Sequence, residues 1–186
     1  MFPPIPSWDA MHPLIVHFPV ALLLVAPILV LLGMFLPKSS RGLFLAAFVL
    51  MVLGTVATYV AVATGEAAGE MAERTPGVAA VLEGHEGLAE TTRIIFTALT
   101  VIFAVILFAP PLFKRDLGRK SLLALNLAFL LFYSAGAVML INVAHQGGRL
   151  VHEFGVRAMM PTTATAASSA PEEKRKKKEQ RGDDNE

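Results

Sequence analysis

The chain has 186 residues, 54% of them apolar, with a mean hydropathy of +0.58 and a formal net charge of +1. The apolar residues fall in four long blocks, which is membrane composition, and the length leaves no room for a second folded domain. The lack of cysteine excludes disulfides, thiolate metal sites, iron–sulfur clusters and covalently attached c-type haem, and the near-neutral charge identifies no partner because the charges are segregated along the chain.

In chain order, Leu14 to Leu36 is apolar except for His17 and forms the first predicted span, 14–36. Pro27 in its middle has no N–H to donate to the Leu23 carbonyl and is expected to kink it. Gly42 to Thr64 carries no charged residue and is the second span, 42–64, longer than the roughly 20 residues that cross the hydrocarbon as a helix. The third span, 91–109, is stopped by Pro110 and Pro111. Leu122 to Ala144 is the fourth, 122–144. In lipid only helices and closed barrels satisfy their backbone polar groups, and blocks this long exclude barrel strands of about ten alternating residues. The fold class is therefore all-α integral membrane, a four-transmembrane-helix bundle over 1–157.

The leader before Leu14 has no basic region, so the first block is read as a span and not as a cleaved signal. The tail, 158–186, ends in PEEKRKKKEQRGDDNE and is expected to be disordered, since it cannot bury enough apolar area to fold. Lys38 and Arg41 follow the first span, and Lys114, Arg115, Arg119 and Lys120 follow the third. The intervening stretch from Gly65 to Arg93 is rich in glutamate. Lysine and arginine collect on the cytoplasmic side, so both termini and the middle loop are expected outside. The KRKKK run opposes this orientation from about 30 residues beyond the last span, where such bias weakens, so the short loops decide it.

With that topology every histidine lies at one membrane face: His12 and His17 at the start of span one, His85 before span three, His145 and His152 after span four. Imidazole is a common axial ligand of b-type haem in helical bundles. His17, His85 and His145 lead as ligand candidates for haem or for a non-haem metal, with His12 behind them. His17 or His85 paired with His145 is the favoured set. Arg93 and Arg149 are placed to meet the propionates. Ala57, Ala61, Gly65 and Gly69 form a small-residue ridge along which a macrocycle or another helix could approach closely. Glu66, Glu70 and Glu73 recur at helical spacing and read as a solvated face. The polar residues within the spans, Tyr59, Asn126, Tyr133, Ser134 and Asn142, are too few and uncharged for an ion pathway. The alternatives are a cofactor-free structural or assembly subunit and a non-haem metal site.

The motifs HPLIVHFPVALLL, TGEAAGE, GHEGLA and AHQGGRLVHEFGV together resemble the bacterial membrane family catalogued as domain of unknown function 2231, over about residues 10–157. The resemblance carries over His12, Pro13, His17, Phe18, Pro19, Gly65, His85, His145, Gly148 and Gly155. This chain has His152 where relatives have Tyr and Phe154 where they have His, which tells against His152 as a ligand. Fusion of family members to Rieske-type or cytochrome domains implies a redox-associated protein of the bacterial cytoplasmic membrane. It is expected to act as an electron-transfer or quinone-linked subunit and not as an enzyme on its own. The partners implied are the lipid bilayer, a redox protein or quinone and other subunits of a membrane complex; nucleic acid is not among them.

Overall fold

The computed structural model describes residues 6–72, 75–113 and 118–156. The expected disordered tail, Glu73 of the acidic face, and Lys114 and Arg115 of the basic loop lie outside the described residues. A short 3₁₀ turn, Asp9–Met11, leads into α1, His12–Ile15; then come α2, His17–Phe35, α3, Ser40–Met71, α4, Pro76–Leu112, and α5, Arg119–His152. Four helices are long and apolar enough to cross a membrane, the first counted from Asp9 through α2, in agreement with the four blocks.

Successive helices pack antiparallel, α2 on α3, α3 on α4 and α4 on α5, and α2 also meets α5, closing a four-helix bundle. The core is Leu23, Ala26 and Val30 of α2, Phe44, Ala47 and Met51 of α3, Phe96 and Phe103 of α4, and Phe129, Tyr133 and Leu140 of α5. Its aromatic rings run in sequence, Phe44 to Phe103 at 6.4 Å, Phe103 to Phe129 at 4.9 Å and Phe129 to Tyr133 at 5.6 Å. Large apolar side chains such as Leu53, Val105, Leu131 and Phe132 point outward. In water such an apolar exterior would drive association; against acyl chains it is the required surface.

Lipid gives no hydrophobic drive between helices, so close approach and interhelical hydrogen bonds hold them. A Cβ on Gly54 of α3 would stand 2.7 Å from Leu23, and one on Gly33 would stand 2.6 Å from the Phe44 ring. Thr55 of α3 and Thr100 of α4 share a hydroxyl hydrogen bond of 2.8 Å. The chain runs through Pro27 within one helix, and Tyr133 donates to the Leu23 carbonyl at 2.7 Å.

The structure differs from the sequence reading in helix length at the face where the histidines lie. The expected middle loop is mostly helix: α3 continues to Met71 and α4 begins at Pro76. At 32 and 37 residues these helices span about 48 and 56 Å, against roughly 30 Å of hydrocarbon. The protruding parts bury a small core of their own, Val78, Leu82 and Leu150, backed by Val81 and Phe154. Charged residues mask this periodicity because they occupy the opposite side of the same helices; Glu66, Glu70 and Glu83 are all exposed. At the other end α4 carries Pro110 and Pro111 inside its last turn and stops at Leu112, three residues past the expected boundary.

Candidate functional site

His12 sits in the short α1, which lies against the protruding end of α3. Its Nδ1 is 2.9 Å from the Ala61 carbonyl and 3.2 Å from Thr64 Oγ1. A carbonyl oxygen only accepts, so Nδ1 carries the proton and donates, and in the neutral ring Nε2 is left bare. Thr64 in turn donates to the Val60 carbonyl at 2.9 Å. The His12 ring rests on Gly65, where a Cβ would come within 2.9 Å of its Cε1. Nothing larger than glycine leaves the ring in place.

His85 lies on the protruding start of α4 and is built the same way. Its Nδ1 donates to the Val143 carbonyl of α5 at 3.1 Å, again leaving Nε2 bare. Its Cε1 would be 3.2 Å from a Cβ on Gly147 of α5. The two rings meet: their centres are 6.4 Å apart with planes at 84°. Each is half-buried, each is fixed through Nδ1 to the backbone of a different helix, and each has its second nitrogen unclaimed. Such a bond orients the ring and fixes its tautomer, the arrangement that metal-bound histidines use.

The surroundings are polar and close-fitting. A Cβ on Gly69 would stand 2.6 Å from Glu86 Oε1, so the Gly65 and Gly69 part of the ridge receives the His12 ring and the Glu86 carboxylate. Gln146 Oε1 is buried without a hydrogen-bond partner near Gly84. Thr92 Oγ1, on the same helix seven residues beyond His85, is likewise buried and unpartnered.

The other candidates stand apart from this pair. His17, His145 and His152 are exposed and make no side-chain hydrogen bond among the described residues. Of the expected candidates, the rings that the structure brings together are His85 and His12. His145 is two residues before Gly147, the position that abuts the His85 ring, so it lies about 200° round α5 from that contact and faces away. Arg93 pairs with Glu90 and lies over the Tyr59 ring at 5.0 Å, while Arg149 pairs with Glu153 at 2.9 Å. Both cations are engaged by carboxylates close by in the chain, Glu90 within α4 and Glu153 just past the end of α5.

The sequence pattern ranks His12 below His17 and does not single out Thr64 or Gln146. A signal for Thr64 is its place at the head of TGEAAGE, the point where span two leaves the apolar block. Among the described residues no group of three or more His, Asp and Glu gathers to hold a metal ion.

A family model described as "Predicted membrane protein (DUF2231)" matches residues 9–159. No curated protein and no solved structure matches the chain.

Proposed function

The chain belongs to the DUF2231 family of membrane proteins, and on that premise we propose that His12 and His85 together hold a redox-active metal centre, haem b iron in particular. The observation that carries this reading is the matched construction of the two rings: Nδ1 tied to a backbone carbonyl, Nε2 unclaimed, centres 6.4 Å apart. His12 and His85 would hold the metal through Nε2, the ring nitrogen that Nδ1–H donation leaves with its lone pair free, and the metal would supply one-electron redox chemistry. A closed non-haem site needs more protein ligands than a pair, whereas His12 and His85 would be enough protein ligands for a b-type haem. Arg93 and Arg149 would meet propionates, Arg149 by exchanging Glu153 for them at little cost for an ion pair this exposed. A centre at one face serves electron exchange with a quinone or a redox protein at that face, not a relay across the bilayer.

A second reading has its own support. His12 already ties α1 to α3, and His85 ties α4 to α5, so the pair would serve a cofactor-free structural or assembly subunit as two interhelical clasps. Spectra of the detergent-solubilised chain, oxidised and dithionite-reduced, together with its metal content, separate the two. A Soret band after expression with ample haem, lost in His12→Ala and in His85→Ala and kept in His145→Ala, supports the first reading. Stoichiometric iron, copper or zinc without that band keeps the pair as a metal site and removes haem. Neither band nor metal leaves the structural reading.

A further inference from the structure

At the end of the bundle opposite the histidines, α2 and α5 part into a groove of about 360 Å³ lined by Met34, Phe35, Arg119, Leu123, Ala124 and Leu127. We propose that this groove binds an anionic phospholipid, with the phosphate on Arg119 and the upper part of one acyl chain between α2 and α5.

The lining states the chemistry of the occupant. Five of its six residues are apolar and the sixth is a permanent cation, so the ligand must be an anion joined to a hydrocarbon. Position supplies the source. Arg119 stands three residues before Leu122, where the apolar block of α5 begins, which places its guanidinium at headgroup level and Leu127 about 12 Å deeper in the hydrocarbon. Gly118, ahead of α5, provides no side-chain cap, so the first-turn N–H groups add partial positive charge at the same level. Lys38, Arg41 and Lys120 lie at this end of the bundle and are exposed. Basic pockets between membrane helices at the positively charged face are where acidic headgroups bind. A second copy is a poor occupant, because in the same bilayer orientation it would bring a like set of cations against this one.

Native mass spectrometry of the full chain in neutral detergent, incubated with phosphatidylglycerol or with phosphatidylcholine, tests the assignment. The expected result is retention of phosphatidylglycerol in preference to phosphatidylcholine. Arg119→Gln should lower phosphatidylglycerol retention about fivefold, the worth of one basic residue near an anionic lipid surface, and Arg119→Lys should keep most of it. Ala124→Phe fills the groove with the cation intact and should reduce retention of both lipids. Both positions of substitution are exposed, and a melting midpoint equal to that of the unaltered chain verifies the fold. Equal retention of the two lipids, or no loss in Arg119→Gln, overturns the proposal. So does a dimer that is present without lipid and abolished by Ala124→Phe, which would give the groove to a second copy.

Discussion

Tyr133 of α5 donates its hydroxyl proton to the carbonyl of Leu23 at 2.7 Å, and Leu23 is the residue whose carbonyl Pro27 leaves without a helical donor. A proline four residues on removes one rung of the ladder, and in hydrocarbon no water takes its place. Tyr133 is almost fully buried, so its hydroxyl needs an acceptor as much as the carbonyl needs a donor. Each group satisfies the other's requirement, and α2 is joined to α5 at the point where its own ladder is interrupted.

Tyr133→Phe should therefore destabilise the bundle by about 1 kcal/mol, in line with single interhelical hydrogen bonds in membranes. In a Pro27→Ala background the backbone N–H regained at that position supplies the Leu23 carbonyl, and the cost of removing the hydroxyl should shrink. A double-mutant cycle by denaturant titration in micelles measures this coupling. Equal cost in both backgrounds would mean that the tyrosine and the proline act independently.

Glycines in this fold divide by what surrounds them. Gly54→Val should cost about 1–3 kcal/mol, because its first added carbon would already stand 2.7 Å from Leu23 and overpacking separates α2 from α3. Gly148→Ala should be neutral or stabilising by up to about 1 kcal/mol, since nothing lies within 4 Å of the added methyl and alanine favours the helix. Thermal midpoints in detergent check the contrast; similar losses at both positions would contradict the packing of α2 on α3.

Gly65→Ala tests the histidine pair without touching a histidine. A methyl there would come within 2.9 Å of His12 Cε1, so the ring must shift from the Ala61 carbonyl. If the pair holds a metal centre, the bound centre should fall severalfold relative to Gly148→Ala, as measured by the Soret band or metal content per chain. Unchanged occupancy in Gly65→Ala would remove His12 from the ligand set.

The absence of cysteine permits a direct test of orientation. Glu70→Cys and Lys38→Cys place single exposed thiols on opposite ends of the bundle. An impermeant maleimide applied to intact cells should label the first and spare the second, as the basic short loops require. The reverse pattern would invert the topology and place the histidine end in the cytoplasm.

The four spans and the collection of histidines at one end were legible because both rest on local properties. A run of some 20 apolar residues must cross as a helix, whatever it packs against, and alternation of direction then assigns each histidine an end. The length of α3 and α4 beyond the membrane was hidden, since Val78 and Leu82 bury against Leu150 of α5, a contact distant in sequence. The partner of each ring was hidden for a sharper reason. One residue along a helix turns its side chain by about 100°, so whether Gly147 or His145 faces His85 depends on the rotation of α5 against α4, which is set by packing along their whole length. His17 is a polar ring in an apolar block, yet it points outward, while His12, ahead of that block, lies against α3 and donates to the Ala61 carbonyl. Sequence by itself determined that the histidines share a face; the tertiary structure alone decided that His12 and His85 meet.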